Sequence, residues 1–248
     1  MIAKNRLLAG LDPVSFARLA PHLDRVPLRR GAVLQDQFHP IEHAYFIESG
    51  VASLYARTRA DGPIEVGVVG RLGLVGVSAI LEAGRSPHRC VMQVPGEALR
   101  IAVADLRTAM DSSPRIRHHF LSYVHALLVQ YAQAALCNGR HAVEKRLCRW
   151  LLIAADRLDE KQIPITHDML AMNLGVRRAG VTRLLGRLQK AGTIAIRRGT
   201  CEIVDRSALE GSACECYGII TAEYRRLTEH GHRDHLPGER PFAAAKNA

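Results

Sequence analysis

Seven basic residues and no acidic one lie between positions 177 and 198: Arg177, Arg178, Arg183, Arg187, Lys190, Arg197 and Arg198. Guanidinium groups present forked donors that match guanine edges and phosphate oxygens. The stretch THDMLAMNLGVRRAGVTRLLGRLQK, residues 166–190, reads as helix, tight turn and second helix, with Gly175 suited to a turn of positive φ. In the second helix Val181, Leu184, Leu185 and Leu188 fall on one face at i, i+3, i+4, i+7. At 100° per residue the opposite face carries Ala179, Arg183, Gly186 and Lys190, flanked by Thr182 and Arg187, with Arg177 and Arg178 at the helix start. Ordinary solvated faces mix both charge signs; this one does not. The chemistry on offer is recognition of double-stranded DNA by a helix lying in the major groove. Thr166, Ala179 and Gly180 join the basic residues as candidate contacts, the last two because small side chains let a backbone come close.

Other groups that could do chemistry are scattered. Cys214 and Cys216 could clip a metal, but no second pair stands at a recognised spacing, so thiols without a metal are the expectation. His230, His232 and His235 fall in a basic, polar tail expected to be disordered. His118, His119 and His125 sit on a long helix, where solvated histidines are commoner than ligands. Neither GxSxG, HExxH nor a Walker loop occurs, and Gly70, Gly73 and Gly76 do not make a dinucleotide fingerprint, so an enzyme is not expected.

The elements that position the basic helix follow from patterning. Ile194–Ile196 and Glu202–Val204 read as two strands around Arg197, Arg198 and Gly199, a wing after the second helix. Upstream, Leu7–Leu23 reads as helical, with Asp12-Pro13 as an N-cap and first turn. Five β-prone runs follow, Ala44–Ile47, Val51–Tyr55, Ile64–Val69, Arg89–Val94 and Ala98–Val103, with glycines between them. That is the pattern of an antiparallel sandwich or barrel. A long helix is expected over 113–136. Its apolar residues Ile116, Phe120, Val124, Leu127, Tyr131 and Ala134 are spaced near a heptad seam, which packs on the β domain or, as favoured here, on a second copy. Asn138-Gly139 is expected to break this helix as a hinge, and Ala142–Leu158 to form the first helix of the reader.

A β-roll, a long helix, a glycine hinge and a C-terminal winged helix-turn-helix resemble the Crp/Fnr family of bacterial transcription regulators. RLCRWLL (146–152), LGVRRAGVTRLLGRLQKAG (174–192) and the wing carry the likeness, over roughly residues 7 to 215. The resemblance implies a base-reading role for Arg178, a base or phosphate contact for Arg183, and an altered half-site, since Ala179 stands where many members have glutamate. It also places an effector segment at Gly76, Val77 and Ser78, with Arg89 and Cys90 downstream. Valine at the position of the ribose-binding glutamate argues against cyclic AMP, and the lack of any cysteine before Cys90 argues against the family's iron–sulfur cluster. No cofactor is therefore expected.

The expected architecture is α+β: a sensor β-roll at 1–110, a dimerisation helix at 111–137, a winged helix-turn-helix at 138–212, and a C-terminal helix with a disordered tail at 213–248. Lys and Arg number 34 against 24 acidic residues, a net charge of +10 that suits a polyanion. No apolar run is read as long enough to span a membrane, no signal peptide is evident, and six cysteines without a disulfide framework suit the cytoplasm. The expected activity is effector-modulated, sequence-specific DNA binding by a homodimer on a palindromic operator, with RNA polymerase as a further candidate partner. The contrasting expectation is a nucleotide-binding-like scaffold that acts through protein partners without specific DNA binding.

Overall fold

The computed structural model describes residues 2–57, 59, 62–158 and 160–229. The chain opens with α1 (Arg6–Ala9), α2 (Pro13–Leu19) and a 3₁₀ turn at Ala20–His22. The helical stretch Leu7–Leu23 is thus divided, with the N-cap and first turn expected at Asp12-Pro13 in place. Gly10 caps α1, and Asp12 starts α2 by accepting from the backbone N–H groups of Val14 and Ser15, with Pro13 in the first turn. Strong cap chemistry splits an otherwise helical run.

Among the described residues, eight strands make two four-stranded antiparallel sheets. They are β1 (Asp24–Leu28), β2 (Val33–Gln35), β3 (His43–Ile47), β4 (Val51–Ala56), β5 (Ile64–Val69), β6 (Leu74–Val75), β7 (Arg89–Val94) and β8 (Gly96–Ala102). One sheet has the order β1-β8-β3-β6 and the other β2-β7-β4-β5. Their facing side chains, among them Ile47, Ala52, Val75, Cys90 and Met92, pack into one apolar cluster inside the roll. The five expected strands are present within a residue or two of their predicted ends; β1, β2 and β6 are short or carry polar residues and give no such signal in the sequence.

A short α3 (Val77–Ile80) follows β6, and α4 (Val103–Ser112) leads into α5 (Pro114–Arg140). Ser113 caps α5 and Pro114 occupies its first turn. The helix runs through Asn138 and Gly139 to Arg140, so the expected break lies two residues later, at His141, whose backbone N–H still bonds to Cys137 O. A glycine in a helix costs only about 1 kcal/mol, too little by itself to end α5. Among the described residues α5 alone is long and apolar enough to pass a test of length and composition for a membrane span, at a mean hydropathy of 1.2. Within the fold it is a core helix. The Tyr123 hydroxyl donates to Leu74 O and accepts from Leu74 N, both at 3.1 Å, and Ile116, Phe120, Val124 and Leu127 are buried.

The reader comprises α6 (Val143–Leu158), β9 (Gln162–Pro164), α7 (His167–Leu174), α8 (Arg178–Lys190), β10 (Ile194–Arg197), β11 (Thr200–Ile203) and α9 (Arg206–Ser212). A final helix, α10 (Cys216–Glu229), lies along α5, with Tyr224 edge-on to Tyr123 and the Arg157 guanidinium 3.7 Å from the Tyr224 ring centre. The molecule is α+β, a jelly-roll-like β domain joined by long helices to a helix-turn-helix. The tail beyond 229, with His230, His232 and His235, lies outside the described residues.

Candidate nucleic-acid interface

Thr166 begins the helix pair by capping α7, its hydroxyl accepting from Met169 N at 3.1 Å. Gly175 closes α7 at φ 64°, a left-handed conformation that costs glycine no Cβ clash and reverses the chain into α8. Val181, Leu185 and Leu188 are buried beneath α8, and Leu184 is half-buried. This inward stripe fixes the rotation of the helix. Arg177, Arg178, Ala179, Thr182, Arg183, Arg187 and Lys190 are all exposed on the other side. A Cβ added at Gly180 would meet nothing within 4 Å, so the backbone there is open to close approach.

The wing is a hairpin of β10 and β11 turning at Arg198 and Gly199, whose φ values are 45° and 81°. Two successive positive φ values mark the tight turn that matches the twist of paired strands. Arg197 and Arg198 are exposed at its tip. The third strand of this sheet, β9, pairs with β11 and has no counterpart in the sequence reading. It is three residues long and contains Pro164 at an edge, too little for an alternating pattern to register.

Tertiary structure adds acids that the local sequence lacks. Arg178 Nη1 lies 3.1 Å from Asp168 Oδ2, and Arg187 Nη1 lies 3.4 Å from Glu144 Oε2. Both pairs are solvent-exposed, so each is worth about 0–1 kcal/mol and exchanges readily for phosphate. Thr182 also has partners, donating to Arg178 O at 3.1 Å and lying 2.9 Å from His167 Nδ1. Arg177, Arg183, Lys190, Arg197 and Arg198 face no carboxylate partner among the described residues.

The suspected effector residues do not share one wall. Gly76, at φ 101°, starts α3. Val75 packs inside the roll with Cys90, whereas Ile80, with Val77 against it, belongs to the core beneath the helices. Ser78 on α3 is half-buried. Arg89 pairs with Asp36 at 3.5 Å. Cys90 is fully buried, and desolvation pushes its thiol up to about 12. Of the histidines on α5, His119 lies 2.7 Å from Leu7 O, His125 3.7 Å from Glu223, and His118 is exposed.

The expectation that no cofactor site exists is corrected by the far end of α5. Cys137, His141, Cys214 and Cys216 converge there, with Sγ and Nδ1/Nε2 atoms all within 4.8 Å of one another. Cys137 Sγ is 3.5 Å from Cys214 Sγ, and Cys216 Sγ is 3.6 Å from His141 Nδ1. The hydrogen bond shared by Cys137 and Cys214 lowers the Cys214 thiol and raises its partner. Cys137 and His141 are four residues apart, but the pairing with Cys214 and Cys216 depends on α10 lying along α5 and has no local signal in the sequence.

Two domain families match the chain: residues 25–113 match the cyclic nucleotide-binding domain, and residues 145–211 the Crp-like helix-turn-helix domain. Among curated proteins it is similar to the global nitrogen regulator of Nostoc sp., 24% identical over 169 residues that cover 64% of this chain and 75% of that one. The global nitrogen regulator of Synechococcus elongatus is 21% identical over 83% of this chain and 96% of its own length. Two solved structures share the fold. FixK2 from Bradyrhizobium japonicum has a TM-score of 0.68 at 16% identity, covering 77% of this chain and 98% of that one. The c-di-GMP responsive global regulator CLP of Xanthomonas campestris has a TM-score of 0.63 at 20% identity, covering 77% and 99%. The fold and the exposed basic helix define a DNA-binding regulator rather than an enzyme, built on the architecture of a dimer. The chain belongs to the Crp/Fnr family of bacterial transcription regulators.

Proposed function

We propose that this chain is a sequence-specific regulator that binds a palindromic operator as a homodimer, with α8 in the major groove and the wing on the flanking backbone. The observation that carries this reading is the acid-poor outer face of α8 set beside the hairpin tip. Arg178 and Arg183 are assigned to base edges or the adjoining phosphates, with Ala179 and Gly180 allowing close approach. Arg177, Thr182, Arg187, Lys190, Arg197 and Arg198 are assigned mainly to phosphate, which fixes register without reading sequence. Thr166, which caps α7, is assigned to a phosphate at the start of that helix.

The second copy is assigned to the outer face of α5. Leu121, Leu128 and Leu136 are 42%, 59% and 47% exposed, and with Ala132 and Ala135 they form an apolar stripe on the side away from the roll. The seam expected from the sequence, Ile116 to Ala134, is instead the face that packs on the chain's own domain. A regulator of DNA works in the bacterial cytoplasm, where six unpaired thiols persist and RNA polymerase is at hand as a partner for activation.

Selection of genomic fragments by the full-length protein tests this reading. The expected result is enrichment of an inverted repeat with half-site centres about 34–36 Å apart. Fragments retained without any shared sequence would overturn it and favour a scaffold role.

A further inference from the structure

Four soft donors meet where three parts of the molecule join. Cys137 comes from the last turn of α5 and His141 is the residue that caps its C-terminus, at the junction between the long helix and the reader. Cys214 and Cys216 come from the link between α9 and α10, beyond residue 211 where the helix-turn-helix match ends. Three of the four side chains are buried, and the three thiols form an apolar cluster of their own. The family's shared domains give no reason for this convergence.

We propose that Cys137, His141, Cys214 and Cys216 form a mononuclear zinc site that clamps the C-terminal helix and the reader to the end of α5. Zinc bonds of about 2.3 Å to sulfur and 2.0–2.1 Å to nitrogen in a tetrahedron set donor–donor edges of about 3.5–3.8 Å. The observed 3.5 Å and 3.6 Å separations lie on those edges, and the remaining ones lie within 4.8 Å. A multi-iron cluster would need thiolates spread around a far larger core than these separations allow.

Charge balance supports the same assignment. Zn²⁺ with three thiolates and a neutral imidazole carries one net negative charge. Arg149 is buried, its Nε has no partner, and it acts electrostatically on all three thiols. A buried guanidinium beside a net-negative metal complex gains a counter-charge in addition to the Glu65 carboxyl, on which it also acts. With residues 137 and 216 tied to one ion, the whole reader is enclosed in a closed loop.

The test begins with the full-length chain purified under reducing conditions from zinc-supplemented cells, followed by elemental analysis. One zinc per chain is expected. The apo protein titrated with Co²⁺ should develop the strong visible bands and sulfur charge-transfer absorption of a tetrahedral thiolate site, saturating at one equivalent. Cys214→Ser should weaken cobalt binding by about tenfold or more. His141→Cys should keep the metal and add charge-transfer intensity, a rescue that a merely structural histidine would not give. Hydrogen exchange in α10 should quicken on metal removal. Chain without zinc that yields no tetrahedral cobalt spectrum would overturn the proposal. So would iron with acid-labile sulfide, or a Cys137–Cys214 disulfide in anaerobically prepared protein. The wild-type titration decides the matter even if a variant fails to fold.

Discussion

The indole N–H of Trp150 donates to Glu65 Oε1 at 2.6 Å, joining the first helix of the reader to β5 of the roll. Ser53 donates to the other carboxylate oxygen at 2.5 Å. A second bridge runs parallel: the Tyr55 hydroxyl accepts from Gln93 and donates to Asn173 on α7 at 2.9 Å. The reader is thus docked on the outer face of one sheet through buried polar contacts. Such contacts hold a specific arrangement and are costly to break singly.

Glu65 makes this docking pH-dependent. Burial raises its carboxyl from 4.5 to about 7, against hydrogen bonds from Ser53 and Trp150 and the charge of Arg149 that pull it down. For an acid raised in the folded state, the stabilisation is complete below the unfolded value and is lost as pH rises through the folded one. Stability should therefore decline between about pH 4.5 and 7, by about 3 kcal/mol from this group. Glu65→Gln removes the charge, keeping an acceptor oxygen for the Trp150 N–H while its amide donates to the Ser53 hydroxyl, and should flatten that slope. Denaturant melts at pH 5 and pH 8 check it; an equal wild-type and mutant slope would show that Glu65 does not titrate in this window.

Tyr55→Phe removes the second bridge and leaves Asn173, buried at 5% exposure, short of a partner. The expected cost is about 1–3 kcal/mol, with faster hydrogen exchange in α7 than in β3. Uniform acceleration across the molecule would indicate global destabilisation rather than loosening of the docked reader.

The dimer face can be told apart from the core face by two substitutions. Leu128→Glu places like charges across the exposed stripe and should yield a folded monomer by light scattering. Val124→Glu buries a carboxylate against the chain's own roll, where Val124 is 6% exposed, and should destabilise the fold itself. A dimer that survives Leu128→Glu at unchanged mass would move the interface off α5.

Contacts to DNA should separate by salt and sequence. Arg178→Ala should cost about 1–3 kcal/mol on the preferred operator and relax one position per half-site. Arg197→Ala should weaken every sequence alike and make the salt dependence shallower. Asp168→Asn frees Arg178 from its exposed ion pair and should tighten binding by up to about fivefold. Equal, sequence-blind losses from Arg178→Ala and Arg197→Ala would mean that α8 does not read bases.

Local pattern determined much of this protein. Val181, Leu185 and Leu188 recur at helical spacing, and that alone dictates which side of α8 is buried and so which arginines face out. Gly175 and the Arg198-Gly199 pair announce turns that need positive φ, and the alternating runs of the roll declare their strands, because each of these signals is contained in a few consecutive residues. What only the tertiary structure decided involves partners distant in sequence. α5 carries two apolar faces, and periodicity cannot say which meets the roll; the Tyr123 bond to Leu74 settles it. Asp168 and Glu144 reach Arg178 and Arg187 from neighbouring helices, so an acid-free segment is not an acid-free surface. Cys137 and Cys214 are 77 positions apart and meet at 3.5 Å because α10 folds back to lie along α5. A metal-sized cluster built from both ends of a domain has no sequence spacing of its own; the path of the chain between those ends creates it.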